Sequence, residues 1–400
     1  MKIGKQDLMR DIAARAPSVL LLSQRRLDNL VAYSVAYEFE DTIAEVTGAD
    51  LIDAQGGAWF DRSRRAYKLM RWAGASKSLA RKLAPSPATT ELRTDYDLFF
   101  PVFSHAHEIY ALAALPNWRQ RCRIAACYIV EAWPQMLPEY LLEILSDFDH
   151  IFVGSQNCAS EIERIVGRPC SYLPLAADVI RFAPRCVAAA RPIDVCNIGR
   201  RSSVTHHALV EMADRGEIFY YFDTVAASGI DMKQRTFRVD DPADHRKLLA
   251  SLLQRSRYFF ANRSRINQPE FDGTHELSSR FYEGAAAGAV MIGEAPDSPE
   301  FDKQFDWPDA VIRVAFNEPD MAGVLKVLDG DQIRLQRARQ LNVANAALRH
   351  DWLHRLQVVF NQLGIEPTLA MRARETRLAT IAQAASLPID GVGVAALKAS

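Results

Sequence analysis

Short apolar runs alternate with amphipathic segments along this chain, a pattern that predicts β-strands alternating with α-helices. The apolar runs are typical of strands that are buried on both faces of a parallel sheet. They cover residues 18–22, 98–103, 123–130 and 150–154 in the first half, and residues 193–198, 218–222, 257–261, 290–292 and 310–314 in the second. The predicted helices cover residues 24–44, 137–145, 158–166, 205–214, 245–253, 280–287, 321–328 and 334–360. Because strands and helices alternate in both halves, we predict two doubly wound, Rossmann-like α/β domains.

The composition is that of an ordinary globular protein. The 400 residues, of which 49% are hydrophobic and 24% charged, are enough for two domains with separate cores and exclude a largely disordered chain. A formal net charge of −1 provides no general attraction to nucleic acid, so we expect no nucleic-acid partner. No apolar run reaches the roughly 18 to 20 residues that a membrane span needs, and residues 1–17 are too charged for a signal peptide. The 6 cysteines lack metal-type spacing, so we expect reduced thiols in a cytoplasmic protein.

The stretch 274–294 (THELSSRFYEGAAAGAVMIGE) organises the second half of the chain. It predicts a loop, a short helix over residues 280–287 and a buried strand over residues 290–292. Ser278 or Ser279 can cap the start of this helix, because a serine oxygen accepts a hydrogen bond from a free backbone N–H.

The helix in this stretch carries a polar pair on an otherwise slim surface. Arg280 and Glu283 are three residues apart and therefore share one face. Residues 284–288 have no side chain larger than a methyl group, so the helix can approach another backbone or a ligand closely. Gly288 ends the helix where a left-handed residue is favoured. An amphipathic helix with a small-residue face and no ligand is the alternative interpretation.

These residues resemble the donor-nucleotide motif of GT-B glycosyltransferases, in which a helix with Lys or Arg is followed by Glu-Ala-x-Ala-x-Gly and an apolar strand. The chain is most similar to the CgeB-like, group 1-type members, which favour Arg-Phe-x-Glu at this point. The resemblance implies that Glu283 binds the ribose hydroxyls of a nucleotide sugar. Retaining families place a first glutamate eight residues earlier; this chain has His275 there, and Glu276 lies seven residues before Glu283.

A second segment supports the same resemblance. Residues 173–178 (Leu-Pro-Leu-Ala-Ala-Asp), with Phe-x-Pro after them, look like the inter-domain crossing of GT-B enzymes. The resemblance implies two Rossmann-like domains that face each other across a cleft, with a C-terminal helix crossing back. We expect an acceptor-binding domain over residues 1–185, a nucleotide-sugar-binding domain over 186–345, and the crossing helix and tail over 346–400.

Polar residues follow the strands of the predicted second domain, where ligands of doubly wound folds bind. Gly199 would let a backbone approach a phosphate, and arginine guanidinium groups pair with its oxygens in a forked geometry. The candidate donor-binding residues are Gly199, Arg200, Arg201, Asn262, His275, Glu276, Arg280 and Glu283. Solvated loop side chains are the alternative for Arg200, Arg201, His275 and Glu276.

The first domain offers candidates for a catalytic base. Inversion at the transferred sugar needs a group that accepts the proton of the acceptor hydroxyl, and histidine or a buried glutamate can do so. His105 and His107 follow the strand at 98–103, and Glu131 follows the strand at 123–130. We favour inversion with one of these three as the base; helix caps and interface polar groups are the alternative interpretation.

Other chemistries find little support. Asp-x-Asp pairs occur at residues 95/97, 147/149 and 329/331, but the first two precede strands and the third brackets a predicted turn. We therefore expect no metal and no cofactor. The chain also lacks the phosphate-binding motif of P-loop NTPases and a well-placed Gly-x-Gly-x-x-Gly.

A run of eight basic residues without an acidic one lies at residues 62–82, with apolar residues interleaved. Two interpretations stay open for it. It is either a surface helix and loop without a partner, which its modest apolar content favours, or a contact for an anionic acceptor or for the inner face of a membrane.

Taken together, the resemblance implies a metal-independent glycosyltransferase of polysaccharide or glycoconjugate biosynthesis. It would move a sugar from a nucleotide diphosphate sugar to an unidentified glycan, lipid-linked or small-molecule acceptor. Two alternatives from other classes remain at this stage: a sugar-nucleotide epimerase or hydrolase, and a non-catalytic module that binds a glycan or a protein.

Overall fold

The computed structural model describes residues 16–27, 29–57, 60–72, 85–133, 139–223, 238–268 and 275–386. The chain forms two compact units. The first comprises Met1–Asp28, Phe39–Pro174 and Arg355–Arg374, and the second comprises Asn29–Glu38, Leu175–His354 and Glu375–Ser400. The second unit thus begins at Leu175 in the central part of the chain, whereas the sequence placed this boundary after residue 185.

The first unit is built on a parallel sheet. Its strands are β1 (Val19–Ser23), β2 (Asp50–Asp53), β3 (Tyr96–Phe99), β4 (Val102–His105), β5 (Cys122–Glu131), β6 (His150–Val153) and β7 (Cys170–Tyr172). Their order is β2-β1-β3-β5-β6-β7, with β4 also paired to β5. The helices α1 (Ser34–Thr47), α2 (Phe60–Trp72), α3 (Glu139–Leu142) and α4 (Ala159–Val166) lie along this part of the chain. Short 3₁₀ segments, among them Ala106–Ala114, complete the connections.

The second unit has a smaller parallel sheet. Its strands are β8 (Ile193–Asn197), β9 (Tyr220–Phe222), β10 (Ser256–Phe260), β11 (Val290–Gly293) and β12 (Ile312–Arg313), in the order β12-β11-β10-β8-β9. The helices along the chain are α5 (Val179–Phe182), α6 (Ser203–Asp214), α7 (Pro242–Gln254), α8 (Ser279–Ala286), α9 (Pro299–Gln304), α10 (Met321–Asp329) and α11 (Gln332–Arg349). Two further helices, α12 (Trp352–Leu363) and α13 (Leu369–Ser386), contribute residues to both units.

Each sheet has its own apolar core, and the predicted fold class of two doubly wound, Rossmann-like α/β units is confirmed. The core of the first unit is centred on side chains of β1, β3, β4 and β5, such as Leu20, Phe99, Phe103 and Ile129. The core of the second unit is centred on β8, β10 and β11, for example Val195, Tyr258 and Ile292. Strands buried on both faces account for the continuous apolar runs in the sequence.

Several predicted bounds need correction. The helix predicted from residue 24 begins only at Ser34, because the Ser23 hydroxyl accepts a hydrogen bond from the Arg25 backbone N–H and fixes a turn there. The strand predicted over residues 98–103 is interrupted at Pro101, which has no N–H to donate. Strand β2 had not been predicted, since its four residues are only partly buried and show no apolar run.

The long predicted helix 334–360 is divided into α11 and α12 at His350 and Asp351. The carbonyl oxygen of His350 accepts a hydrogen bond from Ala177 N–H at 3.0 Å, and the Asp351 carboxylate accepts one from Val179 N–H at 2.9 Å. The break is therefore set by a distant segment of the second unit. The alanine-rich stretch after residue 366 forms α13 through Ser386.

All six cysteines lie within the described ranges and are free thiols. Burial raises the pKa of Cys122 to about 12 and that of Cys127 well above its usual range, so these thiols are poor nucleophiles. In the part of the chain that the structure describes, no helix is both long and apolar enough to cross a membrane.

A buried ionic cluster lies at the carboxyl end of β1. Glu40 of α1 is fully buried, and its Oε2 accepts hydrogen bonds from Ser23 Oγ at 2.5 Å and from Arg25 Nη2 at 2.9 Å. Arg25 also donates to the Asp41 carboxylate at 2.9 Å. Burial raises the pKa of Glu40 to about 7, against the opposing effects of Arg25 and Ser23.

This pKa makes the stability of the first unit depend on pH. Because the pKa of Glu40 is higher in the folded state than its ordinary value of 4.5, the folded state binds more protons between the two values. Stability from this group is therefore present at low pH and is lost as pH rises through about 7. Between pH 5 and pH 8 we expect the free energy of unfolding of the wild type to fall by about 3 kcal/mol relative to Glu40→Gln.

Urea unfolding of both proteins across this pH range measures the effect. Glu45→Gln, which removes a half-exposed carboxylate of the same helix, controls for the loss of a charge. Parallel pH profiles of the wild type and Glu40→Gln would show that Glu40 is not protonated near neutrality.

Candidate functional site

The candidate site lies at the carboxyl edge of the second sheet. Strand β8 has β9 on one side and β10 on the other, so consecutive connections leave β8 in opposite directions. A strand order that changes direction in this way opens a crevice at the carboxyl ends of the strands, where ligands of doubly wound folds bind. The loops after β8 and β10 and the start of α8 meet at this edge.

Gly199 begins the loop after β8 and requires its glycine. Its φ is +83°, in the left-handed region that favours glycine. Its N–H donates to Asp223 Oδ2 at 2.9 Å, which ties the loop to the end of β9.

The two arginines that follow Gly199 have different environments. Arg201 is 5% exposed and donates to Asp223 Oδ1 at 2.7 Å and to the Asp223 carbonyl oxygen at 2.8 Å. Its guanidinium also lies 5.3 Å from the centre of the Phe222 ring. Arg200 is partly exposed and donates to Asn267 Oδ1 at 3.3 Å. Arg201 therefore fixes the loop, while Arg200 is the more accessible cation.

Asn262 joins the ends of two strands to the start of α8. Its Oδ1 accepts a hydrogen bond from Glu294 N–H at 2.8 Å, and its carbonyl oxygen accepts one from Ser278 Oγ at 2.7 Å. Ser278 is the N-cap residue of α8, but its hydroxyl makes this contact and no capping hydrogen bond. Gly293 leaves space for the Asn262 side chain, because a Cβ at residue 293 would lie 2.6 Å from Asn262 Oδ1.

His275 and Glu276 precede α8 but differ in exposure. His275 is exposed, and its Nδ1 accepts a hydrogen bond from Asp297 N–H at 3.2 Å. Glu276 is 8% exposed, and its carbonyl oxygen accepts one from Ser264 N–H at 3.0 Å. Their predicted contact with the donor sugar stays a prediction.

Arg280 brings the start of α8 to the loop after β8. Its side chain is 28% exposed, and Nη1 donates to Glu283 Oε2 at 2.6 Å. A Cβ placed on Gly199 would lie 3.5 Å from Nη2 and 3.9 Å from Nε of Arg280. Two residues that the sequence assigned separately to the donor site are therefore neighbours.

Glu283 is fully buried between two arginines. Its Oε2 accepts from Arg280, and its Oε1 accepts from Arg246 Nη1 at 2.5 Å. Burial alone would raise the pKa of this carboxyl, but the charges of Arg280 and Arg246 prevail and lower the pKa to about 2. Since each oxygen faces an arginine, the ribose contact that the family resemblance implies stays a prediction.

Sequence reasoning missed Asp223, His245 and Arg246. Asp223 directly follows β9, so the rule that selects residues after strands would have found it. His245 and Arg246 lie inside α7, where nothing in the local sequence distinguishes them from a solvated face. Burial and the charges of Arg246 and Arg280 lower the pKa of His245, which places it within the electrostatic reach of the site.

The first unit brings its three base candidates together at the carboxyl edge of its own sheet. His105 ends β4 and Glu131 ends β5, and the two are register partners on the paired strands. The rings of His105 and His107 lie 5.9 Å apart, nearly perpendicular. Glu131 Oε1 accepts a hydrogen bond from Trp133 Nε1 at 2.7 Å.

The Asp-x-Asp pairs engage cations and polar groups of the protein. Asp97 accepts from Ser18, Asp149 pairs with Arg119, and Asp329 accepts from Tyr258 Oη. Within the described ranges, no group of three or more His, Cys, Asp or Glu side chains is placed to hold a metal ion.

The basic run at 62–82 is described only in part. Helix α2 covers its beginning, where Arg62 and Arg65 are exposed and Arg64 donates to the Leu27 carbonyl oxygen at 3.2 Å. Residues 73–84 lie outside the described residues, so the predicted contact with a membrane or an anionic acceptor stays a prediction.

Comparison with known proteins places this geometry in a family context. Residues 221–361 match the model of a family described as glycosyl transferase-like, and this range contains Arg246, Arg280 and Glu283. No curated protein matches the chain in sequence. The CgeB-like assignment within the wider group stays a prediction.

Solved structures extend the likeness to both units. A trehalose-6-phosphate synthase is 11% identical, with a TM-score of 0.53 over 88% of this chain and 100% of that chain. The UDP-forming α,α-trehalose-phosphate synthase from Burkholderia xenovorans is 9% identical, with a TM-score of 0.50 over 88% of this chain and 99% of that chain. At such identities the likeness shows the fold. The chain therefore has the GT-B fold, and its residues 221–361 match the glycosyl transferase-like family model.

Proposed function

We propose that this protein is a glycosyltransferase that moves a sugar from a nucleotide diphosphate sugar to the hydroxyl group of an acceptor. The observation that carries this proposal is the position of Arg280. Within the glycosyl transferase-like domain, this partly exposed guanidinium lies against Gly199 at the carboxyl edge of the sheet. A cation beside a glycine at this edge suits the diphosphate of a donor.

The donor side would stabilise the leaving diphosphate. Negative charge grows on the phosphate oxygens as the bond to the sugar breaks, and fixed cations aimed at that position lower the barrier. Arg280 and Arg200 supply such cations, and the positive end of the α8 dipole adds to them. The Burkholderia xenovorans neighbour is described as UDP-forming, which supports a nucleoside diphosphate as the product. In this scheme arginines do the work of a metal ion.

The acceptor side would supply the base. In an inverting transfer the acceptor oxygen forms a bond to the anomeric carbon while the bond from that carbon to the diphosphate breaks, and the base takes the hydroxyl proton. His105, His107 and Glu131 remain the candidates, because the structure gathers them at one sheet edge. If the transfer instead retains configuration, His275 or Glu276 would contact the sugar.

The acceptor and its location complete the proposal. We place the enzyme in the cytoplasm, with a glycan, lipid-linked or small-molecule acceptor and no nucleic-acid partner. Exposed Arg62 and Arg65 on α2 support a contact with an anionic acceptor or the inner face of a membrane.

Replacing Arg280 tests the donor site. Arg280→Met should weaken binding of the preferred nucleoside diphosphate by roughly 10- to 150-fold, the range for a hydrogen bond to a charged group. The matched nucleoside should bind as before, because it lacks the charge that Arg280 would contact. Calorimetric titration with UDP, GDP and ADP and their nucleosides measures both affinities.

Arg257→Met is the matched control for this experiment. Arg257 bridges the carboxylates of Asp194 and Asp329 in the same unit, but it lies at the start of β10, away from the candidate site. Equal losses for the diphosphate and the nucleoside in Arg280→Met would contradict a diphosphate site.

The base is tested by His105→Ala, His107→Ala and Glu131→Gln. Loss of the base should lower kcat by about 10² to 10⁴-fold while donor affinity stays intact, since the base acts only on the acceptor hydroxyl. His150→Ala is the control, because this half-buried histidine begins β6 and therefore lies at the amino edge of the sheet, opposite to the base candidates. NMR of the product gives its anomeric configuration.

Two results would overturn the inverting mechanism. They are retained configuration in the product and losses below tenfold in all three variants. Hydrolysis or epimerisation of the donor without any acceptor would point to another reaction at the same donor site.

A further inference from the structure

The donor site ends a chain of four charged side chains that alternate in sign. Glu38, Arg246, Glu283 and Arg280 are linked in this order, and all four belong to the second unit. Arg246 Nε donates to Glu38 Oε2 at 2.6 Å, Arg246 Nη1 donates to Glu283 at 2.5 Å, and Arg280 donates to Glu283 at 2.6 Å. This series of side-chain contacts therefore runs without interruption from the interior of the unit to Gly199.

Glu38 is the fixed end of this chain. It is 1% exposed as a residue, with a side chain that is 0% exposed. Besides two hydrogen bonds from Arg246, its Oε1 accepts from Asp178 N–H at 2.8 Å and from Trp352 Nε1 at 3.1 Å. Arg181 Nη1 lies 3.8 Å from Oε2. Glu38 is thus held by donors from several separate segments of the second unit.

Arg246 transmits this fixed position. Its side chain is 4% exposed, and its guanidinium bonds Glu38 with Nε and Nη2 and Glu283 with Nη1. The ring of Phe182 lies 4.9 Å from the guanidinium carbon. Burial would lower the pKa of Arg246, but the two carboxylates raise it, so the residue stays charged. A planar guanidinium held at three nitrogens has little freedom to move.

Glu283 passes the constraint to Arg280. Arg246 donates to Oε1 of Glu283, and Arg280 donates to Oε2 through its Nη1. Nη2 and Nε of Arg280 lie 3.5 Å and 3.9 Å from the position that a Cβ on Gly199 would occupy. The network thus uses one end of the guanidinium and directs the other toward the loop after β8. An arginine that is already ordered loses less conformational entropy when it binds a ligand.

We propose that Glu38 and Arg246 are positioning residues that, through Glu283, hold the Arg280 guanidinium ready for the donor diphosphate. This inference rests on the proposed function of Arg280. It adds two residues that would not contact the ligand themselves. One of them, Glu38, comes from the segment Asn29–Glu38, which belongs to the second unit although it lies near the start of the sequence. Loss of either would leave Arg280 in place but free to turn away from the diphosphate.

Glu38→Gln and Arg246→Lys test the inference, since each keeps most of the volume and breaks the forked contacts. We expect each to weaken binding of the preferred diphosphate among UDP, GDP and ADP by about tenfold and to leave its nucleoside unaffected. In an Arg280→Met background, Glu38→Gln should cause no further loss, because the residue acts only through Arg280. Calorimetric titration of the full chain measures all of these affinities.

Arg257→Lys is the matched control, since Arg257 also bridges two carboxylates in this unit. It should lower the melting temperature without changing the ratio of diphosphate to nucleoside affinity. Equal losses on the two ligands, or additive losses in the Arg280→Met background, would assign Glu38 and Arg246 to stability alone. If the wild type binds no nucleoside diphosphate, the proposed function fails together with this inference. If it binds one and both variants bind it equally well, only the inference fails.

Discussion

The burial of the Glu283 carboxylate links the packing of α8 to the two arginines of the candidate site. Helix α8 lies so close to the sheet that a Cβ on Gly284 would be 2.7 Å from Met291 Sδ and 2.8 Å from a ring carbon of Phe259. The neighbouring residue Glu283 is fully buried, and a charge without water must be paired and hydrogen-bonded to be tolerated. Arg246 and Arg280 provide this pairing. The close packing of the small-residue face of α8 and the presence of the two arginines therefore depend on each other. The small residues serve packing on the sheet, and the polar pair serves the site.

Local patterns predicted most of the fold because they report burial directly. Helix α8 and strand β11 lie within one residue of their predicted starts, and Gly288 adopts the expected left-handed conformation, with φ +61°. The failures have non-local causes. The break between α11 and α12 depends on hydrogen bonds to residues 177 and 179, which the sequence around residue 350 cannot reveal.

The site was predictable to the extent that its residues follow strands. That rule found Gly199, Asn262, His105 and Glu131, and it would have found Asp223. It could not find Glu38 and Arg246, which lie 208 residues apart in sequence and inside helices. Nor could it separate Arg200 from Arg201, because the difference between them is the contact of Arg201 with Asp223. Pairing across such distances is a property of the folded chain alone.

Two fully buried glutamates show how the number of cations sets chemical behaviour. Glu283 has an arginine on each oxygen, and its pKa falls to about 2. Glu40 has one arginine, Arg25, which it shares with Asp41, and there burial prevails and the pKa rises to about 7. Glu283 therefore keeps its charge throughout the neutral range, and the field that it imposes on Arg280 is constant there. Any change of turnover with pH near neutrality should then originate outside the Glu283 network, in His245, in the groups of the first unit or in the ligands. A pH profile of diphosphate binding that is flat apart from the ionisation of the phosphate and of His245 would agree with this division.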